Sequence, residues 1–163
     1  MFREMRRKKQ ILSIEECITI LEGGTSGVLA LSGDNDYPYA VPLSYVYSDS
    51  KIFFHCAKEG HKIDAIARNN KVSFCVIDKD DVLPQKYTTC FRSVIAFGNA
   101  RILEEENEKR NALEKLAARY SPDHEQGRLQ EIDRLFQQVC MIELDIEHLT
   151  GKEAIELVRE KNS

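Results

Sequence analysis

Residues 52–62 read IFFHCAKEGHK, a short apolar run that ends in two histidines, a glycine and a lysine. The continuation, IDAIARNN at 63–70, has the spacing of a short helix closed by Asn69-Asn70. A buried strand that breaks at Gly60-His61-Lys62 and enters a helix sets backbone N–H groups and basic side chains at a helix N-terminus, an arrangement that binds phosphate. The same pattern also describes an ordinary strand-to-helix connection with solvated charges, so the flanking stretches decide between the two.

Upstream, YAVPLSYVYS (39–48) reads as the preceding strand, with Ser48-Asp49-Ser50 as the turn. Pro42 in its middle removes a ladder donor, which puts it on an edge, at a bulge or against a ligand. Earlier still, a capping box of Ser13 and Glu16 opens a helix with Ile14, Cys17, Ile18 and Leu21 at helical spacing up to Gly23-Gly24. The buried strand GVLALSG (27–33) follows, closed by Asp34-Asn35-Asp36.

Downstream, KVSFCVID (71–78) alternates as a half-buried strand, and the charged, proline-containing DKDDVLPQK (78–86) reads as a connection. The longest β pattern, YTTCFRSVIAFGNARIL (87–103), does not keep one phase, which predicts a kink or bulge near Gly98. Helices over 104–119 and 126–136 flank Ser121-Pro122-Asp123; the strand VCMIELDIE (139–147) and a last helix opened by Gly151-Lys152-Glu153 complete the chain. Six strands, mostly hairpin-connected with helices inserted, predict an α+β fold on a small six-stranded antiparallel β-barrel with flanking helices. A ligand then belongs at the open rim or at a subunit interface.

At 163 residues the chain suits one domain, 1–163, with a basic N-terminal arm over 1–12. A formal net charge of −4 argues against nucleic acid as the main partner. The five cysteines form no CxxC pair, sit mostly in apolar runs and read as reduced thiols of an intracellular protein. No apolar stretch approaches the ~20 residues of a membrane span, so the expectation is a cytoplasmic protein with no membrane partner.

Four stretches carry a resemblance: YAVPLSYVY (39–47), IFFHCAKEGHK (52–62), YTTCFRSVIAFGNARIL (87–103) and LTGKEA (149–154). In order and spacing the sequence resembles the pyridoxamine 5′-phosphate oxidase-like FMN-binding split barrels, and within them the nitroimidazole-resistance type of flavoprotein. The resemblance implies a homodimer with FMN, in preference to FAD, at an interface lined by both subunits. It implies that Val41, Pro42, Leu43 and Ser44 run past the isoalloxazine ring, and that Gly60, His61 and Lys62 hold the FMN phosphate. It places His55 and Ala57 beside the flavin, and Arg92 and Ser93 on the partner-side strand, where Arg92 could equally be a surface residue pairing with the acidic helix after Leu103. The oxidases' arginine-rich grip on pyridoxal phosphate is replaced here by Tyr37-Pro38-Tyr39-Ala40, and the chain has no tryptophan. Both departures speak against pyridoxamine phosphate as substrate.

The implied activity is an FMN-dependent oxidoreductase, a nitroimidazole-reductase-like flavoprotein acting on a small planar acceptor. His55 is the catalytic candidate, since an imidazole of ordinary pKa donates a proton near neutral pH; a lone strand histidine is also a common structural residue. Tyr45 could stack on or hydrogen-bond the acceptor, or simply pack. Cys56, next along the strand, should point the opposite way, into the core. No HxxxH or CxxC spacing supports a metal site. The other class of function is a non-catalytic FMN- or haem-binding module of the same barrel type.

Overall fold

The computed structural model describes all residues, 1–163. Seven strands form it: β1 (Ser26–Ser32), β2 (Pro38–Ser44), β3 (Val46–Ser48), β4 (Lys51–Ala57), β5 (Lys71–Leu83), β6 (Thr88–Ile102) and β7 (Val139–Glu153). Five helices accompany them: α1 (Ile14–Gly23), α2 (His61–Arg68), α3 (Glu106–Tyr120), α4 (Glu125–Leu135) and α5 (Ile155–Lys161). All pairings are antiparallel, in the order β2-β1-β5-β6-β7-β4-β3.

The first helix starts where the capping box predicts. Glu16 N–H donates to Ser13 Oγ at 3.1 Å, and Ser13 N–H donates to the Glu16 carboxylate at 2.8 Å. The expected count of six strands becomes seven because 39–48 is not one strand. Tyr45 is fully buried, its phenol donating to the Leu21 carbonyl at 2.7 Å and its ring edge-on to Phe74. Its backbone N–H points to the Thr25 carbonyl and the Tyr120 hydroxyl instead of a ladder partner. Pairing stops for one residue, and the chain passes from β2, at one edge of the sheet, to β3, at the other. The sheet is thereby curled into a split barrel whose two edges are consecutive in sequence.

Two further boundaries differ from expectation. The segment 78–83 is not a connection: it continues β5 past a register shift between Ile77 and Lys79 and pairs with Thr88–Arg92. Its charges fit because Asp78, Asp80 and Asp81 stay exposed on this overhanging ribbon, while Leu83, Cys90 and Phe91 pack toward Ala154 and Leu157. Gly151-Lys152-Glu153 belongs to β7, paired with Arg92–Val94, and α5 begins two residues later. The kink predicted near Gly98 is present as a register shift between Phe97 and Gly98, where an added Cβ would run into the Asp145 carbonyl.

Inside the barrel, 19 buried residues form the main core, with Leu29, Phe54, Phe74, Ile142 and Leu144 all at zero exposure. A second cluster lies on the other face of β3, β4 and β7, where Val46, Phe53 and Met141 meet Leu113 and Leu116 of α3 and Ile132 of α4. All five cysteines are free thiols. Cys17 lies in the main core with Cys56 packed against it, Cys90 is buried beside Ala154 and Leu157, and Cys140 is buried on β7. Cys75, expected in the core, is half-buried on the outer face of the sheet. Burial, then the nearby Glu16 carboxylate, pushes Cys17 up to about 11, and burial likewise pushes Cys56 up to about 11 and raises Cys75 and Cys140. Unfolding lets these thiols ionise near their ordinary 9.0. The folded state, which binds their protons more tightly, therefore keeps its full advantage below pH 9 and loses it as pH rises from 9 toward 11. Thermal denaturation across this range should show Tm falling steadily above pH 9, and a flat profile would contradict the burial of these thiols.

Candidate functional site

β4 alternates cleanly. Ile52, Phe54 and Cys56 face the barrel interior, whereas Phe53, His55 and Ala57 face the side covered by α3 and α4. His55 thus opens into a cavity of about 470 Å³ between the sheet and the α3–α4 pair. Its walls are apolar: Leu113, Leu116 and Ala117 from α3, Ile132 and Leu135 from α4, and Val139 from β7. The polar residues lining it besides His55 are few: Tyr120, Ser121, His124, Arg128 and Glu131. The amphipathic spacing of α3 marks Leu113 and Leu116 as inward. Nothing local in the sequence marks the space left between α3 and α4.

Ala57 ends β4 on the same face as His55, and the chain then turns through Lys58, Glu59 and Gly60 into α2. Gly60 adopts φ 126°, open to glycine and strained for other residues, and no side chain caps the helix. The N–H groups of Ile63 and Asp64 bond back to the Gly60 carbonyl. Those of His61 and Lys62 stand at the open end, as first-turn N–H groups do without a cap. The His61 ring stacks on Tyr39 with centroids 4.0 Å apart, and its buried Nε2 has no hydrogen-bond partner; the Asp34 carboxylate stands 3.7 Å off and is itself paired with Arg68 at 2.6 Å. Lys62, half-buried, is close enough to Cys56 to act on its thiol. An uncapped helix end, a lysine and an orphaned imidazole nitrogen fit a phosphate monoester.

β2 is an edge strand, as Pro42 requires. Val41 and Leu43 lean against the main core, while Pro42 and Ser44 face outward. Tyr45 is removed from the site: it is a core residue, and nothing can stack on it. Arg92 binds neither the α2 turn nor the acidic helix α3. Its guanidinium pairs with the almost fully buried Glu153 at 3.1 Å and with Asp78 at 3.3 Å, in a cluster that Lys161 joins through Glu153 at 2.7 Å. Ser93 sits beside it on β6, six residues before Asn99, the partner of Lys71 just after α2, or about 20 Å along the strand. Within one chain, His55, Ala57, Gly60, His61 and Lys62 gather at one end of the barrel, and Arg92 and Ser93 lie at the other.

Between these ends the outer face of the sheet carries almost no charge. One cross-strand row runs Pro42, Val28, Cys75, Ile95, Thr150, and the next runs Ala40, Ala30, Ser73, Phe97, His148. Val28 is 38% exposed, Ile95 36% and Ile77, one row on, 66%. A single charge, Lys152, stands at the end of that third row beside Ser93. Phe2 of the basic arm covers one corner, stacked on His148.

No curated protein matches the chain. Among solved structures, a candidate 5-nitroimidazole antibiotic resistance protein from Bacteroides thetaiotaomicron shares 21% identity at TM-score 0.72, over 88% of this chain and 86% of its own. A FAD-binding protein from Mesorhizobium loti shares 26% at TM-score 0.60, over 89% and 97%. A FAD and haem binding protein from Mycobacterium smegmatis shares 19% at TM-score 0.74, over 95% and 80%. The model of the family described as pyridoxamine 5′-phosphate oxidase matches residues 13–153, which takes in every strand and the α2 turn. On that match, over most of its length, the chain belongs to the pyridoxamine 5′-phosphate oxidase family.

Proposed function

We propose that this chain is one cytoplasmic domain, residues 1–163, that works as a homodimeric FMN-dependent oxidoreductase, a nitroimidazole-reductase-like flavoprotein reducing a small planar acceptor. The observation that carries the reading is the placement of His55 at the floor of an apolar cavity, on the strand that leads directly into the uncapped α2 N-terminus. Lys62, the N–H groups at that end and His61 would hold the FMN phosphate, with Gly60 allowing close backbone approach. Ala57 and the edge strand Val41 to Ser44 would border the ring. FMN supplies electrons in pairs or singly. The chain's own part is to stack a flat acceptor between apolar walls, to keep water from it, and to present the His55 imidazole proton where negative charge builds on the acceptor.

Dimerisation is supported by the neutral outer face: rows of Ala, Ser, Val, Ile, Phe and Pro without a carboxylate are what a second copy of the same surface can cover. A two-fold partner would bring its own Arg92 and Ser93 toward the end of the barrel where this chain's copies do not reach.

The first test is spectroscopic. Protein reconstituted with FMN should keep visible flavin bands through gel filtration, elute as a dimer and release FMN on denaturation. Lys62→Ala should weaken FMN binding by about 10- to 100-fold, the loss of one charge-assisted contact, with the far-UV spectrum unchanged. Protein that takes up no FMN would overturn the assignment. A second reading, haem binding, has one observation in its favour, two imidazoles, His55 and His124, on the same apolar cavity; a Soret band after haem addition, with no flavin uptake, would select it.

A further inference from the structure

Cys56 and Cys140 face each other across the β4–β7 ladder in direct register. Opposed residues of antiparallel strands have Cα atoms about 4.5 or 5.5 Å apart, and both spacings lie inside the range a disulfide spans, about 4.4–6.8 Å. The two side chains share the inner face, close enough for each thiol to act on the other's ionisation. The other three cysteines have no such neighbour: Cys75 stands opposite Ile95, Cys90 opposite Asp81, and Cys17 lies on α1. Charged groups stand near the pair. Cys140 lines a second cavity, about 390 Å³, bordered by Lys58 and Lys109 and also by Glu104 and Glu106. Lys109 is fixed there by donating to the Phe136 carbonyl at 2.5 Å, and Lys62 approaches Cys56 from α2.

The geometry points to Cys56 and Cys140 as a two-electron thiol pair that hydrogen peroxide, entering the cavity beside Lys58 and Lys109, converts to a cross-strand disulfide. Cys140 Sγ attacks a peroxide oxygen and the O–O bond breaks. The sulfur leaves as a sulfenic acid, and the departing hydroxide takes up the thiol proton to become water. Cys56 Sγ then attacks that sulfur; the S–O bond breaks, the S–S bond forms, and the expelled oxygen carries off the Cys56 proton as a second water. Two thiols have lost two electrons and two protons, and one peroxide has become two waters. Lys58 and Lys109 favour the Cys140 thiolate and the departing hydroxide, against the burial that disfavours both. The bridge would pin the last turn of β4 to β7, four residues before Gly60. It rests on the ladder register and not on the flavin reading, and is tested without flavin.

Reduced full-length protein treated with one equivalent of hydrogen peroxide should fall from five titratable thiols to three. Its intact mass should drop by two hydrogens, and digestion should recover one Cys56–Cys140 peptide, reversed by dithiothreitol. In Cys56→Ser the bridge should be absent and a sulfenic-acid trap such as dimedone should label Cys140. Retention of all five thiols would overturn the assignment, as would a bridge between other cysteines or between two chains, or dimedone labelling elsewhere than Cys140.

Discussion

Alanine at position 55 is expected to leave FMN bound and to slow acceptor reduction by about 10²-fold or more, the scale on which a positioned general acid contributes. On the proposed mechanism the loss should fall on kcat, because His55 would meet the acceptor as charge develops on it, whereas Leu113, Leu116, Ile132 and Leu135, which line the cavity, would supply the stacking. His55 is exposed and belongs to neither buried cluster, so the same change should leave the unfolding free energy within about 0.5 kcal/mol of the parent. Stopped-flow oxidation of the reduced flavoprotein by a nitroheteroaromatic acceptor measures the step directly. A rate equal to that of the parent protein would remove His55 from the chemistry and leave it as a wall of the cavity.

Phe74→Ala is expected to cost about 3–5 kcal/mol, the range for emptying a buried aromatic site, and to lower Tm on the order of 10 °C for a chain of this size. Phe74 has zero exposure and stands edge-on to both Tyr45 and Phe54, with centroids 5.0 and 4.9 Å away. Those two rings sit on opposite sides of the barrel seam, Phe54 on β4 and Tyr45 at the crossing from β2 to β3. Removing Phe74 therefore deletes the β5 ring on which the rings of both Tyr45 and Phe54 rest, beyond the area it buries. Urea denaturation gives the number. A loss under about 1 kcal/mol would mean that the seam is held elsewhere, for example by the Tyr120 hydroxyl, which bridges Thr25 and Tyr45.

What could be read from the sequence were features whose cause is local. The Ser13–Glu16 box, the glycine at the β6 bulge, the edge position of Pro42 and the inward direction of Cys56 each follow from the residue and its immediate neighbours. What could not be read depends on a distant partner. Residues 78–83 are strand because 88–92 pair with them, Gly151-Lys152-Glu153 are strand because Arg92–Val94 do, and Tyr45 leaves the sheet because Leu21, Thr25 and Tyr120 meet it. The same division runs through the site. His55, Gly60 and Lys62 share one segment and are legible as a unit, while the roof of the cavity comes from helices more than fifty residues later in the chain. Arg92 shows the limit most plainly, since its tie to Glu153 across β6–β7 has no sequence signal at all.

The position of β7 bears on how the protein is made. It is the last strand in sequence, yet it lies between β6 and β4. On the ribosome, β4 emerges with only the three-residue β3 beside it, and its other edge stays unpaired until Val139–Asp145 has been synthesised. Phe53 and Phe54 are then presented on an open strand edge until their partners Glu143 and Ile142 emerge, a hazard for pairing between nascent chains. Chains released before residue 139 would carry both halves of the sheet and no means of joining them.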